Sequence, residues 1–214
     1  MRNYSAPLLI TRIITLLIAF TIHEFSHALT AALLGDPTPK RDGRLTLNPL
    51  KHLDFWGTIL LLTAGYGWAK PVRVNYASVN RRHKWGSTLV SAAGPLSNFL
   101  LAVIAALVLK CNPSIGTIRF KASFLPTPLY FLSQFIWINL HLMVFNLLPV
   151  RPLDGEKVVR FFIPRKARAG WDSFQNQGKR ILMVLYFLLP YLGFDFSGKF
   201  MTPIVMALYR LLLG

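Results

Sequence analysis

Residues 6 to 34 form an almost unbroken apolar run, closed by the turn-rich Gly35-Asp36-Pro37. As one helix rising about 1.5 Å per residue, it is long enough to cross a hydrocarbon core of roughly 30 Å with some tilt. No other feature narrows the choice of fold as much. A second strong run covers 85–109. A third covers 128–148 and stops at the Pro149-Val150-Arg151-Pro152 break. Two shorter runs, 181–194 and 200–213, flank residues 195–199 and read as a closing helical hairpin. The N-terminal stretch has the charged start of a secretory signal. No small-residue cleavage site follows it, so it reads as a retained helix.

The charge agrees with this reading. The chain of 214 residues is 53% hydrophobic yet carries a formal net charge of +16. On a soluble domain that charge would suggest nucleic acid. Here the Lys and Arg residues lie between the apolar runs, as the inner-face bias of membrane proteins produces. Nucleic acid is therefore excluded as a partner, and the bilayer is expected. Cys111 is the single cysteine, which rules out an intramolecular disulfide and a thiolate metal cluster.

The stretch 55–68, FWGTILLLTAGYGW, has an apolar centre about half the length a spanning helix needs. Its flanks, RLTLNPLKHLD and AKPVRVNY, alternate polar and apolar residues, which suits short strands. The expected architecture is an all-α polytopic membrane protein with about five transmembrane helices. A re-entrant or surface β-hairpin-like element lies between the first two full spans. Residues 1–160 form the membrane-embedded core, and 161–214 a basic loop with the C-terminal hairpin.

Inside the first run stands HEFSH, residues 23–27. His23 and His27, four apart, project from nearly one helix face, and two imidazoles so placed can reach one Zn²⁺. Glu24 between them can exchange a proton with a water activated by that ion, the logic of the H-E-x-x-H motif. Ionisable groups at membrane depth cost on the order of 2.5–3.5 kcal/mol each on insertion scales, so three within about a turn and a half point to function. The plain alternative is polar residues satisfying one another across a bundle.

Zinc in a hydrolytic site needs a third protein ligand and one open position. Only eight acidic residues are available. Asp36, Asp42 and Asp54 sit in a basic loop, solvated or paired, and Asp172 and Asp195 in other loops. Asp154, in NLLPVRPLDGE directly after the third span, has two local readings: a carboxylate aimed back at the bundle by Gly155, or a helix N-cap for GEKVVRFF. Charge favours the ligand reading, because two neutral imidazoles, one carboxylate and one hydroxide neutralise Zn²⁺ in a low-dielectric site. His141, on the third span, reads as a packed interfacial residue.

HEFSH (23–27), SAAGPLSNFLLA (91–102) and NLLPVRPLDGE (146–156) together resemble the site-2 protease family of intramembrane zinc metalloproteases. GRLTLNPLKHLD and GWAKPVRVN resemble its compact prokaryotic branch. The resemblance covers roughly residues 20–160. It implies zinc ligands at His23, His27 and Asp154, a general base at Glu24, and an asparagine, Asn146, that holds the substrate or polarises its carbonyl. It also implies hydrolysis of peptide bonds in or near transmembrane helices of membrane-protein substrates. Arg151 and Glu156 depart from the family pattern, which favours uncharged residues and a second glycine there. Nothing in the sequence resembles PDZ or other regulatory domains. The alternative from another class is a non-catalytic zinc protein, such as a transporter or scaffold, which gives Glu24 no role.

A zinc site on these residues makes a topological demand that does not depend on the family. His23 and His27 lie toward the C-terminal end of the first helix, and Asp154 lies beyond the C-terminal end of the third. The two helices must then run parallel, with an odd number of crossings between them, so 55–68 does not cross. The loops 35–84 and 151–180 share the site's side and are rich in Lys and Arg. The positive-inside bias predicts a cell-membrane protein with its active site toward the cytoplasmic face.

Overall fold

The computed structural model describes residues 5–64, 67–120, 122 and 124–214. Helix α1, Ala6–Leu33, starts with Pro7 in its first turn, where a missing N–H is harmless. It ends before Gly35, which takes φ +88°, a left-handed conformation that glycine adopts without strain. A short helix α2, Thr38–Arg41, follows, and Asp54 then starts α3, Phe55–Ala64, by accepting the Gly57 N–H at 2.9 Å. Helix α4, Tyr76–Arg82, is capped by Asn75, whose side chain accepts the Ser78 N–H at 3.0 Å. Helix α5, Gly86–Cys111, carries Pro95 inside it. Helix α6, Pro128–Asn146, has Thr127 as its N-cap, accepting the Tyr130 N–H at 3.3 Å.

Beyond the third apolar run come α7, Asp154–Phe162, and α8, Arg168–Gln175. The chain then continues helically through α9, Gly178–Met183, a wider turn at Val184–Leu188, and α10, Leu189–Tyr191. The last helix is α11, Thr202–Leu213.

Among the described residues, three helices are long and apolar enough to cross a membrane: α1, α5 and α6. Of the roughly five spans expected, these three meet that standard. The two C-terminal runs are helical but broken, the first ending after Pro190 at Gly193 (φ +84°). The central core joins α5, α6 and α11, with Ala102, Ala105 and Ala106 against Phe135, Ile136, Leu140, Met143 and Val205. Lipid tails give apolar helices no reason to prefer one another, so close approach of small residues and interhelical hydrogen bonds carry the packing. On the opposite face of α5, Leu96, Leu100, Ile104 and Leu107 are exposed in one stripe, as a lipid-facing surface requires.

The stretch expected to be hairpin-like is different. Residues 55–64 form a helix, and the flanks meet in one isolated antiparallel bridge, Leu53 to Ala69. The run lacks the alternation of a strand, and an Asp54 cap favours a helical start. Ten residues give a helix of about 15 Å, half a crossing. Residues 65 and 66 of that stretch lie outside the described ones. Among the described residues one candidate span, α5, lies between α1 and α6, the odd number that the topological argument requires.

Candidate metal centre

His23 and His27 lie one turn apart on α1 and are both buried, and Asp154 is the first residue of α7. Their tips converge. His27 Nε2 is 3.0 Å from His23 Nε2 and 3.1 Å from Asp154 Oδ2, and His23 Nε2 is 3.2 Å from the same oxygen. The N-cap position of α7 falls on Leu153 and no side chain caps the helix, so the carboxylate is committed to the histidines. Gly155 serves this arrangement by closeness rather than by an unusual φ. A Cβ there would stand 2.2 Å from the Leu147 carbonyl oxygen, so only glycine lets α7 begin directly against the end of α6.

The other ring nitrogens decide the chemistry. His27 Nδ1 is 2.7 Å from the Val90 carbonyl oxygen, which can only accept, so this nitrogen carries the proton. Asn98 donates from Nδ2 to Asn139 Oδ1 at 3.0 Å, and Asn139 donates from Nδ2 to the Phe135 carbonyl at 2.9 Å. That relay turns Asn98 Oδ1 toward His23, whose Nδ1–H donates to it at 2.6 Å. With both Nδ1 atoms protonated, the neutral rings present two Nε2 lone pairs to each other and to a carboxylate.

Three electron-rich atoms so close call for a cation, and the donor set fits zinc. Bonds of about 2.0–2.1 Å place neighbouring corners of a tetrahedron about 3.3 Å apart, close to the spacing seen here. Gly94 on α5 keeps the space between them open. A Cβ there would sit 2.4 Å from His27 Nε2 and 2.6 Å from His23 Nε2. His23, His27 and Asp154 are the one set of three such ligand atoms found together among the described residues.

Glu24 is buried beside this set without joining it. Its Oε2 accepts the Val72 N–H at 2.8 Å, which brings the segment after α3 across the site. That segment is tied down on both sides. Arg44, itself buried, donates to the carbonyls of Lys51 and Lys70, and Lys70 N–H donates to the His52 carbonyl at 2.8 Å. Asn146, the last residue of α6, donates from Nδ2 to its own helix at the Leu142 carbonyl, 2.9 Å away. His141 donates from Nδ1 to the Trp137 carbonyl at 3.1 Å and packs on the Trp137 ring, a packed residue as expected.

The remaining carboxylates have partners: Asp36 accepts the N–H groups of Thr38 and Asn75, Asp54 and Asp195 accept those of Gly57 and Gly198, and Asp42, Glu156 and Asp172 pair with Arg73, Arg151 and Arg160. Sequence reasoning passed over Gly94, Asn98 and Asn139. The signal for the two asparagines was the one that marked HEFSH, a polar side chain inside an apolar span.

The model of peptidase family M50 matches residues 11–123 and 114–189. Relatives in several organisms carry the name "Putative zinc metalloprotease". YwhC of Bacillus subtilis is 42% identical over 183 residues, covering 86% of this chain and 83% of the relative. Rip2 of Mycolicibacterium smegmatis is 30% identical over 198 residues, covering 85% and 72%. The similarly named MJ0611 of Methanocaldococcus jannaschii is 29% identical over 163 residues, covering 74% of each chain. No solved structure matches.

Proposed function

This chain belongs to peptidase family M50 and is a zinc-dependent metalloendopeptidase; on that premise we propose that it hydrolyses peptide bonds in or beside transmembrane segments of membrane-protein substrates. The observation that carries the proposal is the convergence of His23, His27 and Asp154 on a gap kept open by Gly94, with Glu24 buried alongside.

In this reading His23, His27 and Asp154 hold the ion. Zinc, when bound, supplies a Lewis acid that activates water and polarises the scissile carbonyl. Glu24 takes a proton from the attacking water and later passes it to the leaving amine. The Val72 N–H fixes one carboxylate oxygen and leaves the other to move the proton. Asn146 steadies the substrate carbonyl with the second N–H of its amide, while the first donates to the Leu142 carbonyl. A substrate helix hides its carbonyls in hydrogen bonds and must unwind locally.

Residues 1–160 act as the catalytic core, with 161–214 closing the bundle. The Lys and Arg residues of 35–84 and 151–180 support a multi-pass protein with this site toward the cytoplasm. Stacking of Trp85 on Phe161, with ring centroids 3.8 Å apart, supports one shared side for the two loops.

Glu24→Gln tests the mechanism in detergent with a model transmembrane peptide. The expected result is wild-type zinc content with cleavage reduced at least about 100-fold, the usual scale of a lost general base. Unchanged cleavage overturns the assignment.

A further inference from the structure

Arg151 and Glu156 bracket Asp154 in sequence, and they meet. Arg151 Nη2 lies 3.2 Å from Glu156 Oε1 and 3.0 Å from Asp172 Oδ1 on α8. Arg160 binds Asp172 at 2.8 Å, and Trp171 Nε1 donates to Glu156 Oε1 at 3.2 Å. Gln175, at the end of α8, is 2% exposed and spends its whole amide on the backbone of the turn that leads to Asp154. Its Oε1 accepts the Arg151 N–H and its Nε2 donates to the Pro149 carbonyl, each at 2.8 Å. The following helix closes on the same turn, since a Cβ on Gly178 would lie 2.4 Å from the Arg151 carbonyl oxygen.

We propose that Gln175, with the Arg151–Glu156–Asp172 cluster, forms a clamp by which α8 positions Asp154 for the metal. The turn 147–153 is the covalent route from α6 to this ligand; the N–H groups of Leu147, Leu148, Val150 and Leu153 bond to backbone carbonyls, and that of Arg151 is left to Gln175. Gln175 fixes it ahead of Asp154, and Glu156 fixes the first turn of α7 behind. Neither touches the ion or the substrate; both are positioning residues. The inference rests on the reading of Asp154 as a zinc ligand. It brings α8, from the basic loop, into the catalytic unit.

The test is the rate at which the purified, zinc-loaded full chain in detergent gives up zinc to an excess of chromogenic chelator. Asp154→Asn, which tests the ligand reading alone, is expected to release zinc fastest. Gln175→Ala is expected to release it about 10- to 100-fold faster than wild type, the scale of a lost outer partner of a metal ligand. Glu156→Gln keeps an oxygen for Trp171 but removes the charge, and serves if the first variant fails to fold; a smaller acceleration in the same direction is expected.

Val205→Ala, in the α11 core, is the control for loss of stability by itself, and it should release zinc at the wild-type rate. If Asp154→Asn is fast while Gln175→Ala and Glu156→Gln match Val205→Ala, the clamp is overturned and the ligand reading stands. If Asp154→Asn itself releases zinc at the wild-type rate, the ligand reading has failed and the clamp falls with it.

Discussion

At the scale of single residues, the site depends as much on an absent side chain as on those present. Gly94 faces the two Nε2 atoms, and one methyl group would occupy the space between them. Gly94→Ala is therefore expected to cut zinc content to below about a tenth of wild type while far-ultraviolet circular dichroism stays unchanged, because alanine suits a helix interior better than glycine. Asn98→Leu removes the acceptor that fixes the His23 tautomer. It should weaken zinc binding about 10- to 100-fold in chelator competition. HEFSH was legible because spacing on a single helix fixes which side chains share a face. Asp154 was left by its local sequence as a choice between cap and ligand, and charge and the family resemblance tipped that choice toward ligand. Local sequence does not say what a carboxylate 127 positions from His27 meets. The Val72 N–H on Glu24 was out of reach altogether, since a backbone donor carries no residue-type signal.

At the scale of elements, the three strong spans were readable to within a few residues. Long apolar runs leave little competition, and Gly35 and Pro128 mark boundaries chemically. The short run at 55–64 was not readable in the same way. Helix and strand cannot be separated in a short apolar stretch, and the alternating flanks argued for the wrong partner. Those flanks are held by single contacts instead, and Asp36 is one anchor: it accepts the Thr38 N–H at 2.9 Å and the Asn75 N–H at 2.6 Å. Burial pushes its carboxyl up, but these hydrogen bonds hold it below the ordinary value. A carboxylate depressed in the fold stabilises it above the unfolded pKa, about 3.9, and the contribution disappears as pH falls through the lower folded value. Wild type should thus lose stability on acidification below about pH 4. Asp36→Asn should be destabilised at neutral pH by about 1–3 kcal/mol, the range for hydrogen bonds to a charged group, with a flatter acid limb in thermal melts.

At the scale of the molecule, the loops that bear the basic residues surround one end of the bundle, and Cys111, exposed at the end of α5, marks the other. In sealed vesicles of known orientation, a membrane-impermeant thiol reagent should label Cys111 from the outer face. In a Cys111→Ser background, Lys40→Cys and Lys166→Cys should be labelled only from the cytoplasmic face. Labelling of these two from opposite faces would break the common-side arrangement. The opposed lone pairs of His23 and His27 also bear on how such a protein is made. A ribosome delivers the two imidazoles early and the carboxylate 127 residues later. In between, α5 must insert and α6 must drift laterally against α1. Until then the nascent chain has half a chelator, too weak to keep an ion against cellular competitors. On the proposed ligand set, capture of the metal thus waits for the bundle to assemble, because the third ligand arrives only with α7.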